Sequence, residues 1–111
     1  MVKEVKEPWG SEKHFVYNQK CTVKILIVKP NQELSLQYHK KRRELWYFLT
    51  DGYVQLGTHK KKVKKREFIE IKNNVAHRLI AKNKEVQVLE IDLGKYDKKD
   101  EVRLEDKYGR R

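Results

Sequence analysis

Cysteine is nearly absent: the 111-residue chain carries only Cys21, so no intramolecular disulfide can form and the fold must rest on its core. Long apolar runs are missing as well. No stretch approaches the roughly 20 apolar residues that span a bilayer, and the first residues lack a charged, apolar and small-residue leader. The expectation is a cytoplasmic protein with no membrane partner. Acidic residues are in deficit, 16 against 27 Lys and Arg, and the resulting charge of +11 favours anionic partners. Lys outnumbers Arg and is interspersed with Glu, a pattern that a solvated surface also produces. The length allows a single domain, 1–111, and no second catalytic one.

No segment keeps a helical apolar stripe. What recurs instead is short apolar segments rich in β formers, separated by Gly, Asn, Asp and Pro, which predicts an all-β domain of sandwich or barrel type. The expected strands are Thr22–Val28, Glu33–His39, Glu44–Thr50, Tyr53–Gly57, Glu67–Ile71, Ala76–Ala81 and Val86–Leu93. Asp51-Gly52, between Trp46-Tyr47-Phe48-Leu49-Thr50 and Tyr53-Val54-Gln55-Leu56, predicts a tight hairpin. Pro30-Asn31 predicts a turn between the first two strands. His59 to Lys65 holds five Lys around one Val and reads as an exposed hairpin tip. As a nucleic-acid patch it lacks the interleaved aromatics on which bases stack. Residues 94–111 are too polar for a core strand, and are expected to wrap the core strands of 22–93 or to form a short helix. Trp9, Trp46 and Phe48 are expected in the core.

Alternation on a strand projects Gln37 and His39 to one face, about 7 Å apart at their alpha carbons. Glu44 follows after the basic turn Lys40-Lys41-Arg42-Arg43, and His77 begins a later strand. Two imidazoles and a carboxylate are donors for zinc, iron, nickel or manganese, with positions left open for substrate. Taken singly, each residue also has a bland explanation: a partly exposed strand histidine, a carboxylate paired with a neighbouring Lys, an amide capping a turn.

Their spacing resembles the first cupin motif, which Asn31, Gln37, His39, Glu44 and Gly52 follow. Nearly the whole chain resembles the cupin domains of type II phosphomannose isomerases, including those fused to mannose-1-phosphate guanylyltransferases. The pieces are Pro8-Trp9-Gly10-Ser11, Val28-Lys29-Pro30 leading into Leu34 to His39, Glu44 with Trp46, His77-Arg78, and the closing run Val102 to Arg110. The resemblance implies a double-stranded β-helix, or jelly-roll, barrel that pairs as a homodimer. It also implies one divalent metal on Gln37, His39, Glu44 and His77, zinc first, with nickel, iron, manganese or cobalt as alternatives. The implied reaction interconverts mannose 6-phosphate and fructose 6-phosphate, the metal polarising the sugar oxygens while a base, not identified by the sequence, moves a proton.

Arg42, Arg78, Arg103 and Arg110 match basic positions of the family and are the implied partners of the phosphorylated sugar. Alternation points Arg78 away from His77, and an outward ion pair is its other reading. The chain departs from the pattern in carrying Lys41 and Leu45 where the fused enzymes have further histidines. Asn73-Asn74 replaces a Pro-Gly turn and Asn31 a common Gly, swaps that keep left-handed backbone accessible. Gly52 comes one residue late, which suggests a bulge or a longer hairpin. Three other functions are compatible with these residues: a non-catalytic sugar-phosphate or nucleotide-sugar binding cupin beside a guanylyltransferase, a non-haem iron oxygenase, and a charge-driven nucleic-acid binder.

Overall fold

The computed structural model describes residues 2–110. Its strands are β1 Lys3–Glu7, β2 Gly10–His14, β3 Cys21–Val28, β4 Leu36–His39, β5 Arg42–Phe48, β6 Gly52–Leu56, β7 His59–Val63, β8 Phe68–Ile71, β9 His77–Ile80, β10 Val86–Gly94 and β11 Glu101–Glu105. β1 and β2 form a separate hairpin. The others build a four-stranded sheet, β3-β10-β5-β8, and a five-stranded sheet, β11-β4-β9-β6-β7. The all-β expectation holds, and among the described residues no α-helix forms, only a 3-10 turn at Lys98–Asp100.

The two sheets close on an interior that divides along its length. At one end Val28, Trp46, Phe48, Val54, Val63, Ile69, Ile71, Leu79, Ala81, Val86 and Val88 make the apolar core. Phe48, Val54, Leu79 and Val88 are completely buried, and each such side chain contributes about 1.5–3 kcal/mol of burial. At the other end the inward positions of the same strands turn polar. On β10 the buried alternate residues run Val86, Val88, Glu90, Asp92, and on β3 the inward row runs Thr22, Lys24, Leu26, Val28.

Several expected elements are corrected. Asp51-Gly52 is no hairpin, because β5 and β6 lie in opposite sheets. The segment turns a corner, and Gly52 is required by space rather than by a left-handed angle: a Cβ there would stand 2.7 Å from Val86 Cγ1 and 3.0 Å from Phe48 Cε2. His59–Val63 is not a tip but the edge strand β7, in register with β6 through Val54↔Lys61; its single Val63 is the buried anchor. Arg42 and Arg43 belong to β5, not to the preceding turn, because pairing with β10 extends to Gly94↔Arg42. Trp9, expected in the core, is 71% exposed. By contrast Asn31 and Asn74 do adopt left-handed backbone, with φ of 64° and 66°, and Gln32 N–H closes the Pro30-Asn31 turn on the Lys29 carbonyl at 3.1 Å.

The tail returns to the barrel as β11, which pairs with β4 through Glu101↔His39 and Arg103↔Gln37. The N-terminal side is simpler. Phe15 and Val16 cover Leu45, Ile91 and Leu93 on the outside of the four-stranded sheet, with Phe15 edge-on to Tyr47 at 5.0 Å.

Candidate metal centre

His39 ends β4, Glu44 lies inside β5 and His77 opens β9, so the cluster is assembled from both sheets. A two-residue turn, Lys40-Lys41, crosses between the sheets. It is pinned from several sides: the Asp100 carboxylate accepts from Lys40 N–H (3.1 Å) and Lys41 N–H (2.8 Å), and Asn73 Nδ2 donates to the Lys40 carbonyl at 2.9 Å. Gly94 lets the end of β10 pass over the same turn, where a Cβ would stand 2.5 Å from the Lys41 carbonyl oxygen.

Glu44 Oε2 lies 3.1 Å from His39 Nε2 and 3.3 Å from His77 Nε2, and all three residues are 2% exposed or less. His77 Nδ1 faces the Val75 carbonyl at 2.8 Å and His39 Nδ1 faces the Asp100 carbonyl at 3.4 Å. A carbonyl only accepts, so each ring is oriented through Nδ1 and presents its Nε2 to Glu44. Ligating histidines are oriented by this kind of outer partner. Trp46 Nε1 donates to Glu44 Oε1 at 2.8 Å, which fixes the carboxylate and leaves Oε2 free. Glu44 Oε2 and His77 Nε2 have no hydrogen-bond partner despite complete burial. Burial alone would push the Glu44 carboxyl up; the His39 and His77 imidazoles overcome it and hold it well below the usual range. Two imidazole Nε2 atoms and an ionised carboxylate, with Glu44 Oε2 and His77 Nε2 lacking hydrogen-bond partners, fit a divalent cation.

Gln37 pairs in register with His77 across β4 and β9 and, with Glu44, lines a cavity of about 170 Å³. Its amide, oriented to satisfy its neighbours, donates to Glu101 (2.8 Å) and to Ser35 Oγ (3.0 Å). Arg42 is buried beside the cluster. Its Nη2 is 3.1 Å from His39 Nε2, its Nε is 3.4 Å from Asp92, and its guanidinium covers Tyr96 at 4.4 Å. Arg103 and Arg110 stand on the cavity rim with Lys24 and Glu101. Arg103 pairs with Glu101 at 2.7 Å but keeps a buried Nε without partner, and Arg110 is forked onto Asp106. Arg78 is not brought to this cavity. It pairs with Glu33 (2.9 Å) and Glu105 (3.2 Å) and donates to the Leu34 carbonyl, tying β9 to the tail.

Four polar neighbours escaped the sequence reading. Glu90 and Asp92 are buried beside Glu44, within 4.8 Å at their nearest oxygens; Lys24 lies 3.4 Å from Glu90 and donates to Tyr96 Oη at 2.9 Å. Burial pushes both the Glu90 and the Asp92 carboxyl up; a hydrogen bond with Asp92 and then the Glu44 charge add to it at Glu90, and the Glu44 charge adds to it at Asp92. Their signal was present, since charged residues alternate with apolar ones on two expected strands. It was hidden because the opposite faces of those strands are the more apolar.

The model of the family "Mannose-6-phosphate isomerase C-terminal" matches residues 1–106. Mannose-1-phosphate guanylyltransferase ManC of Salmonella typhimurium is 33% identical over 99% of the chain, which covers only 24% of that protein. The chain thus spans about a quarter of the length of the curated relative. Among solved structures, the capsular polysaccharide assembling protein CapF of Staphylococcus aureus superposes with a TM-score of 0.70 at 16% identity, over 96% of this chain and 35% of that one. A cupin protein of Bacteroides fragilis superposes with a TM-score of 0.60 at 15% identity, over 82% and 94%. With its two-sheet barrel and its matched length, the chain is a cupin that belongs to the family of C-terminal mannose-6-phosphate isomerase domains.

Proposed function

We propose that the protein is a metal-dependent aldose-ketose isomerase interconverting mannose 6-phosphate and fructose 6-phosphate. The observation that carries this reading is the convergence of His39 and His77 on Glu44, with Glu44 Oε2 and His77 Nε2 left without partners, where Glu44 and Gln37 line a cavity that also holds Lys24, Arg42, Arg103 and Arg110. A divalent cation held by these three residues, with Gln37 beside them, would supply Lewis-acid polarisation of the sugar oxygens. The residues of the chain do the rest. The cavity measures about 170 Å³, less than the roughly 300–1,000 Å³ of typical ligand sites, so an open-chain sugar enters end-on and its phosphate stays at the rim. There Arg103 offers its partnerless Nε and Lys24 an ammonium, while Arg110 would exchange its Asp106 fork for the phosphate. Arg42, deeper in, orients the reacting end; Arg78 ties β9 to the tail and does not reach the substrate.

A coupled assay on metal-loaded protein is expected to show fructose 6-phosphate forming from mannose 6-phosphate. His39→Ala and His77→Ala should each lose metal and activity together, whereas His59→Ala keeps both. Turnover absent with every divalent metal would overturn the reading.

A second reading is favoured by one contact, the Arg42 guanidinium set directly against His39 Nε2. It makes the protein a non-catalytic sugar-phosphate or nucleotide-sugar binding cupin that acts beside a guanylyltransferase. Calorimetric binding of mannose 6-phosphate or a nucleotide sugar by assay-dead protein would select it.

The proposed assembly is a homodimer. β3 is an edge strand whose outward Val23, Ile25 and Ile27 are 53–60% exposed, and they continue the outer apolar cluster of Leu45, Ile91 and Leu93. On a chain of charge +11, two copies repel least where this uncharged face meets its equivalent.

A further inference from the structure

A second cavity, of about 520 Å³, opens beyond the far end of β5 and shares no lining residue with the metal cavity. Glu44 and Phe48 are four strand residues apart, about 13 Å, and this pocket begins only at Leu49. It is lined by the β5–β6 corner with Tyr53, by Lys62 and Lys65 from β7 and the turn after it, and by Lys82 and Lys84 of the β9–β10 loop. Among the described residues, none of these four lysines has a salt-bridge partner.

The two carboxylates of the pocket are already engaged. Asp51 accepts from the Lys65 backbone N–H at 2.8 Å, and Glu85 accepts from Gln87 Nε2 at 2.9 Å. Lys82 is not swinging free: its ammonium sits 4.2 Å over the Tyr53 ring, a cation–π contact that holds it inside the pocket. Register places Lys62 directly across from Tyr53. Four lysines therefore line one volume of ligand size with two carboxylates among them, a surplus of positive charge along a concave wall, where the field is focused.

We infer that this pocket is a second anion site, separate from the metal cavity, and that it takes the diphosphate or triphosphate group of a small ligand. Several ammonium donors on flexible stems suit a chain of phosphate oxygens, whereas a planar carboxylate calls for an arginine fork. Tyr53, Leu49 and Val86 supply the apolar side of the wall against which the body of such a ligand rests.

The test is calorimetric titration with inorganic pyrophosphate and triphosphate at 50 mM salt, on the wild type and on Lys62→Gln/Lys82→Gln. All four lysines are exposed, so the double variant should melt at the wild-type temperature; Lys65→Gln/Lys84→Gln is the second variant should it not. Saturable one-site binding that weakens at least tenfold in either double variant, weakens on raising the salt to 200 mM, and persists unchanged in His77→Ala is the expected result. Nucleoside diphosphates identify the source: tighter binding than pyrophosphate marks a nucleotide, equal binding a free diphosphate, and both support the site. Absence of saturable binding overturns the inference. So does affinity unchanged in both double variants, which would move the anion to the Arg103 and Arg110 rim, or tighter binding of a short RNA by a hundredfold or more, which would make the lysines a nucleic-acid surface. His77→Ala separates this outcome from the isomerase reading, because losing the metal centre leaves the lysine pocket intact.

Discussion

Glu90 and Asp92 occupy a buried strand face beside a third carboxylate, Glu44. Three negative charges in so small a space are too many for Arg42 and Lys24 to balance, and burial pushes Glu90 up to about 10 from an ordinary 4.5. A carboxyl raised in the folded state gives stability that is fully present below the unfolded value and is lost as the pH rises toward the folded one. Metal-free protein should therefore lose urea resistance between pH 5.5 and pH 8.5, and Glu90→Gln, which keeps the neutral shape, should flatten that slope. An equal slope in the two proteins would exclude Glu90 as its source. Glu44 obeys the opposite rule: its two imidazoles hold it well below the usual carboxylate range, in the ionised form that the proposed cation requires.

The β4–β5 turn is where the elements meet the chemistry. Its backbone N–H groups are held by Asp100, a tail residue about sixty positions away, and the Asp100 carbonyl faces the ring of His39. The tail thus supports the candidate metal site. Asp100→Asn replaces one accepting oxygen by a donor and should lower zinc affinity by about tenfold or more, the range found for outer-shell partners, while the His39→Ala loss is complete. Competition with a chromophoric chelator reads both, and unchanged affinity would reduce Asp100 to a turn residue. The corner at Gly52 makes a similar point about packing. Gly52→Ala forces a methyl against Val86 and Phe48, and overpacking of this kind costs about 1–3 kcal/mol, readable as a lower urea midpoint.

At the scale of the molecule, the barrel is turned partly inside out. On β3 and β10 the charged residues Lys24, Glu90 and Asp92 point inward, and Val23, Ile25, Ile27 and Leu89 point outward. A sheet with two apolar faces is normally covered on both, and Phe15 and Val16 cover only the part around Leu45 and Ile91. Ile25→Lys should convert the proposed dimer to a monomer in sedimentation velocity while zinc binding is unchanged. A dimer that survives this substitution would place the interface elsewhere.

Much of this was legible along the chain. Local chemistry determined seven of the eleven strands, β3 to β6 and β8 to β10, since alternation and β formers act within a few residues, and it determined the Pro30-Asn31 turn. Spacing against a known motif determined that His39, Glu44 and His77 should be considered together. Tertiary structure alone decided which strand pairs with which. Asp51-Gly52 has hairpin chemistry, yet the space beside Val86 and Phe48 makes it a corner, and His59–Lys65 looks like a tip until Val63 anchors it to β6 as an edge. It also decided which face of β3 and β10 looks inward. Alternation reports that a strand has two unlike faces but not which one a distant carboxylate and two imidazoles will claim. The polar end of the barrel exists because sheets from remote parts of the chain converge there, and that convergence is long-range.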